Sequence, residues 1–145
     1  MNIFDELRVG IKTHAATETQ ALATRLAQVL APDATLALHG DLGVGKTTFV
    51  QGLAKGFGVT DVVTSPTFTI FTLHRGGSRT LVHLDAYRLE NDRQIDSLML
   101  EDFLVSPYCL AVEWPERIAR WLPRDTLHLT LSIIDAGYHH VRLSE

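Results

Sequence analysis

Apolar residues along the chain fall into short blocks whose spacing separates helix from strand. In "TETQALATRLAQVL", Leu22, Leu26, Val29 and Leu30 recur at helical spacing, which predicts a helix from about Glu18 to Leu30. Thr17 and Gln20 have the spacing of a capping box, in which two side chains satisfy orphan backbone donors. The apolar run Thr35–His39, bounded by Pro32 and Gly40, predicts a buried strand. A second helix is predicted from Lys46 to about Phe57, stopped by Gly56 and Gly58. Residues 1–16 show little periodicity.

Further along, "TFTIFTLHRGGSRTLVHLDAYRL" predicts two strands, Thr67–Leu73 and Arg79–Asp85, turning at Gly76 and Gly77. Ile95–Leu104 predicts a short helix, and Cys109–Glu113 another buried strand. Pro115 opens a helix in "PERIARWL". Thr126–Ile134 and Tyr138–Leu143 alternate around Gly137, as in a terminal hairpin. This order of elements predicts an α/β layered domain with a mixed central sheet flanked by helices. The 145 residues suit one domain, 1–145.

Composition narrows the setting. With 46% apolar and 21% charged residues the chain has ordinary globular usage. No segment reaches the roughly 18 apolar residues that a membrane span needs. The start, "MNIFDELRVG", lacks the long apolar core of a secretory signal. A lone cysteine, Cys109, allows no internal disulfide and reads as a buried thiol. These features fit a cytoplasmic protein. A net charge of −4 argues against a domain that coats nucleic acid non-specifically.

The sharpest chemical signal is Gly40-Asp41-Leu42-Gly43-Val44-Gly45-Lys46-Thr47, which matches G-x-x-x-x-G-K-[ST] between a predicted strand and a predicted helix. The glycines let backbone amides approach a polyphosphate. Successive N–H groups at a helix N-terminus form an anion nest. Lys46 is placed for the β- and γ-phosphates, and the Thr47 hydroxyl for Mg²⁺. None of the three lysines is followed by x-Asp, so the guanine-reading Asn-Lys-x-Asp element is missing and ATP is the expected nucleotide.

Two apolar runs end in carboxylates, "LVHLD" at Asp85 and "CLAVE" at Glu113. One acid would hold the metal, while the other would position or deprotonate the attacking water. In "TSPTFT", Pro66 keeps the backbone extended. Ser65 and Thr67 there have hydroxyls suited to a γ-phosphate, its magnesium or the lytic water, as in a switch segment. The same residue types also suit a plain turn before a strand.

Taken in order, "GDLGVGKTTF", "VTSPTF", "HLDAYRL" and "VEWPE" resemble the TsaE (YjeE) family, from near Thr19 to about Pro123. The resemblance implies a small P-loop NTPase-like fold. It also implies Mg²⁺-dependent ATP hydrolysis in the making of N6-threonylcarbamoyladenosine in tRNA. TsaB and TsaD are the implied partners: TsaD joins the threonylcarbamoyl group to adenosine, and tRNA is met through the complex. At matching positions it implies that Gly40, Asp41, Leu42, Gly43, Val44, Gly45, Lys46, Thr47, Thr48 and Ser65 bind the nucleotide. Lys46, Asp85 and Thr67 would be catalytic, with Thr47 and Glu113 on Mg²⁺. One departure stands out: Tyr138 follows Gly137 where family members often have arginine.

Other side chains read more plainly. His83 shares strand parity with Asp85 and reads as a structural hydrogen-bonding histidine. Trp114 would pack beside the nucleotide or at an interface, and Trp121 in the core. His139 and His140 point to opposite faces of one strand. Adenine contacts are expected from Thr13–Thr19.

Overall fold

The computed structural model describes residues 2–64, 66, 70–134 and 137–144. The elements run α1 (Ile3–Val9), β1 (Ile11–Thr13), α2 (Ala16–Ala27), β2 (Ala34–His39), α3 (Lys46–Gly56), β3 (Phe71–His74), β4 (Thr80–Asp85), α4 (Asp92–Ser97), β5 (Tyr108–Glu113), β6 (Leu127–Ile134) and β7 (Tyr138–Ser144). The seven strands form one sheet in the order β1-β7-β6-β2-β5-β4-β3. β2 pairs in parallel with both β5 and β6, and β4 in parallel with β5. The pairs at the two edges are antiparallel. This is the mixed sheet expected from the order of elements, and both hairpins form where Gly76-Gly77 and Gly137 mark turns.

Period two in the strands sorts side chains into two cores. Leu36, Leu38, Leu81, Ala111, Leu129 and Leu131 face α1, α2 and α3. Val82, Leu84, Leu110 and Val112 face the opposite way, against Ile95 of α4 and the 3-10 turns that carry Leu100 and Ile118. Full burial of each such leucine or valine contributes about 1.5–3 kcal/mol. Cys109 is buried in the first core, and burial pushes its thiol up to about 12. None of the helices among the described residues is long and apolar enough to cross a membrane.

α2 and α3 pack backbone to backbone. A Cβ added at Gly52 would lie 2.4 Å from the Gln20 carbonyl oxygen and 2.7 Å from Ala23 Cβ. One at Gly56 would lie 2.5 Å from Ala27 Cβ. The Thr24 hydroxyl donates to the Gly52 carbonyl at 2.8 Å across this seam. The seam fixes α3, and with it the loop that opens α3, against the first core.

Several local expectations need correction. Residues 1–16 hold a helix after all, α1, started by an Asn2 side chain that accepts from the Asp5 N–H. Its seven residues bury only Ile3 and Leu7, too few for a periodic signal. The Thr17–Gln20 capping box does not form: α2 starts at Ala16 behind Ala15, and Glu18 accepts the His14 N–H instead. α2 also ends at Ala27 rather than Leu30. The helix expected over Ile95–Leu104 splits into α4 and the 3-10 turn Leu100–Phe103, because Met99 takes a left-handed conformation at φ 51°. "PERIARWL" forms only a 3-10 turn, Pro115–Ile118. Of the strand expected at Thr67–Leu73, residues 67–69 lie outside the described residues. Ile70 sits at φ 68°, so β3 starts only at Phe71.

Replacing Gly52 by Ala tests the seam. The substitution gains about 1 kcal/mol of helix propensity. The clash with the Gln20 backbone outweighs it, for a net loss of about 1–3 kcal/mol in urea unfolding.

Candidate functional site

Strand order reverses at β2: the chain leaves it for β4 and β5 on one side and later returns to β6 on the other. Open α/β sheets hold ligands outside the carboxyl ends of strands at such a point. The glycine loop lies there, between β2 and α3. Gly40, Gly43 and Gly45 have φ of 143°, 82° and 98°. At Gly40 the need for glycine is absolute, since a Cβ would lie 2.4 Å from the Leu131 carbonyl oxygen of β6. Val44 turns its side chain into the core, so only its backbone is available to a ligand, whereas Leu42 is exposed. A cleft of about 420 Å³ opens over the loop, lined by Leu42, Gly43 and Gly45–Thr48 on one side and Asp85, Glu113 and Trp114 on the other.

Register brings the two acids to this cleft. Asp85 pairs directly with Glu113 across β4 and β5. Both share strand parity with Leu81 and Ala111, so both project toward α3. Thr47, in the first turn of α3, donates its hydroxyl to Glu113 Oε2 at 3.4 Å. His83 Nε2 meets the same carboxylate oxygen at 2.6 Å. Asp85 Oδ1 accepts the Tyr87 N–H at 2.9 Å, and the Ala86 N–H donates to the Glu113 carbonyl, which ties the two strand ends together.

Lys46 is buried, with Nζ 2.6 Å from the Gly40 carbonyl oxygen and 4.0 Å from the centre of the Trp114 ring. Burial lowers its pKa, while Glu113, Asp85, Glu116 and Asp41 pull in the opposite direction. Of these acids, Asp85 and Glu113 line the cleft with the ammonium. A hydroxyl and a carboxylate at 3.4 Å are hard oxygen donors of the kind that suit a small divalent cation sharing its remaining positions with phosphate oxygens. Among the described residues no cluster of three or more His, Cys, Asp or Glu makes a protein-only metal site.

Ser65 and Thr67 lie outside the described residues, but their flanks do not. The Val63 carbonyl accepts the Gln51 side chain of α3 at 2.9 Å. The Ile70 carbonyl accepts the Asp85 N–H at 2.7 Å. Val63 thus lies beside α3 and Ile70 beside Asp85.

Of the stretch expected to meet adenine, Thr13 and Thr19 are buried and bond each other at 2.7 Å. Tyr138, at the position of the family's arginine, packs edge-on against His14 with the Lys12 ammonium over its ring. Trp114 lines the cleft and packs against Tyr87, the rings tilted by 57° with centres 5.0 Å apart. Trp121 packs, half-buried, against the second core.

Two histidines matter more than their sequence context suggested. His83 shares the face of Asp85, as parity indicates, but its reach to Glu113 depends on strand register. His139 Nδ1 lies 2.9 Å from the Val44 carbonyl oxygen and props the loop from β7. Nothing local marks it, because the contact joins residues 95 apart in the chain.

A loop at a parallel strand's carboxyl end, a helix that starts on its lysine, and acids at two neighbouring strand ends define a P-loop NTPase-like domain. A crystal structure of Bacillus subtilis YdiB superposes with a TM-score of 0.78 at 33% identity, covering 92% of this chain and 82% of that one. The family described as Threonylcarbamoyl adenosine biosynthesis protein TsaE matches residues 13–140. A Bacillus subtilis protein named tRNA threonylcarbamoyladenosine biosynthesis protein TsaE is 40% identical over 114 residues, 79% of this chain and 71% of that protein. One of the same name from Treponema pallidum is 31% identical over 132 residues, 91% of this chain and 97% of that protein. The chain belongs to the TsaE family.

His139→Ala removes the prop under Val44. Its expected effect is a loss of about 1 kcal/mol in urea unfolding, the usual worth of one hydrogen bond. Amide exchange should quicken at Val44–Lys46 and stay unchanged in α2.

Proposed function

We propose that this protein binds ATP with Mg²⁺ and hydrolyses it in the cytoplasm, as the nucleotide-driven partner of the TsaB–TsaD pair that makes threonylcarbamoyladenosine in tRNA. The observation that carries the reading is the Thr47 hydroxyl facing the Glu113 carboxylate at 3.4 Å, at the mouth of the glycine loop. In this reading the amides of Gly40–Thr48 cradle the phosphates, and Lys46 places its ammonium against the β- and γ-phosphates. Thr47 and Glu113 hold the cation. Bound there, Mg²⁺ would neutralise charge on the phosphate oxygens. Asp85 holds the attacking water, its carboxylate direction fixed by the Tyr87 N–H. Ser65 and Thr67 supply the hydroxyls that meet the third phosphate, from a segment whose end is bonded to Asp85.

Turnover in isolation is slow. Among the described residues that line the cleft, none is an arginine. An arginine finger contributes roughly 10³–10⁵ in rate where one is present. The missing stabilisation is left to partners, and tRNA is contacted through the complex rather than by this acidic chain.

Phosphate release from ATP, measured with the protein alone and then with TsaB, TsaD and tRNA, tests this. The expected result is hydrolysis that rises with the partners and accompanies tRNA modification, and that Lys46→Ala abolishes. ATP-dependent phosphorylation of a small metabolite would overturn it. If Lys46→Ala stopped hydrolysis yet left modification intact over many turnovers, the protein would be a nucleotide-gated binding module. In the same assays Glu113→Ala should weaken Mg²⁺-dependent nucleotide binding more than Asp85→Ala does. The opposite order would exchange their roles.

A further inference from the structure

Glu113 is 5% exposed, and among the described residues its two side-chain hydrogen bonds both fall on Oε2. The Thr47 contact, at 3.4 Å, is long and therefore weak. The His83 contact, at 2.6 Å, is short and in a fully buried place. We infer that His83 is the positioning residue of the Glu113 carboxylate, and that it sets the cleft's affinity for a divalent cation without touching cation or nucleotide. The inference rests on the assignment of Thr47 and Glu113 to the cation made above.

Its geometry comes from the sheet. His83 sits opposite Ala111 on β5, and Glu113 is two residues further along the same face. A methyl side chain at Ala111 leaves the imidazole room to reach diagonally across the pair, a separation that long side chains span. Lys46 bonds the Gly40 carbonyl oxygen and makes no hydrogen bond to Glu113, so its charge acts on the carboxylate without fixing its direction. His83 is therefore the close partner that holds this carboxylate in one rotamer.

The ring also bears a cost that core packing alone does not explain. His83 Nδ1 is buried and has no hydrogen-bond partner among the described residues. An unpaired buried polar atom is destabilising, a cost that an apolar side chain of similar size would not incur. What the histidine supplies in return is the Nε2–H bond to Glu113. Residues that orient a metal-holding carboxylate typically change cation affinity about 10–100-fold when removed.

The test is binding of a fluorescent ATP analogue to the whole chain, titrated with Mg²⁺ and repeated in EDTA. His83→Leu should raise the Mg²⁺ concentration needed for half-saturation on the order of 10-fold, while affinity in EDTA stays within about twofold of wild type. His83→Gln, whose amide N–H can still donate, should recover most of the Mg²⁺ response. Unfolding curves establish that each variant is folded. Where His83→Leu does not fold, His83→Asn, too short to reach Glu113, must lose the Mg²⁺ response and His83→Gln must keep it. An unchanged Mg²⁺ response in the Leu or Asn variant overturns the inference, as does an equal loss of affinity in EDTA. Wild-type binding indifferent to Mg²⁺ would instead remove the cation assignment itself.

Discussion

The site depends on the register of β2, β5 and β4. Leu38 of β2 pairs with Glu113, and Glu113 with Asp85, so three parallel strands end level with one another beside the glycine loop. Because side chains alternate, a slip of one residue in β5 would turn Glu113 toward α4 and put Val112 under Thr47. The apolar pattern protects against that slip. Leu110 and Val112 fill one core while Cys109 and Ala111 fill the other, and a shifted strand would misplace all four. Hydrophobic burial thereby fixes the direction of two carboxylates.

Charge organises what register assembles. One buried ammonium and two carboxylates, Asp85 and Glu113, share a small cleft. Burial works against the charge on Lys46, and the acids around it work for that charge. A polyphosphate arriving with a cation suits both sides: the phosphates face lysine and amides, while the cation faces the acids. The glycine loop adds partial positive charge from its N–H groups at the start of α3.

Much of this was legible in the chain because it is local. The loop is contiguous, the acids end apolar runs, and two glycine-marked turns give the hairpins. Parity alone put His83 on the side of Asp85. Its meeting with Glu113 was not legible, because that needs the pairing of β4 with β5. His139 needed the β6–β7 hairpin to lie over the loop. The Thr17–Gln20 spacing misled because Thr17 already lies inside α2, which starts at Ala16, and Glu18 rather than Gln20 reaches back, to the His14 N–H. "PERIARWL" has a helix's proline and a helix's length. Trp114, however, enters it in a left-handed conformation, and only the turn Pro115–Ile118 is closed.

That left-handed backbone at Trp114 has an outcome of its own. It swings the indole back over the loop, where its ring stands 4.0 Å from the ammonium of Lys46 and 5.0 Å from the half-exposed ring of Tyr87. The protein therefore carries an intrinsic fluorophore against the ammonium that the proposed function assigns to the phosphates. In the proposed reading, filling the cleft changes the surroundings of Trp114, so its emission follows occupancy with no label added.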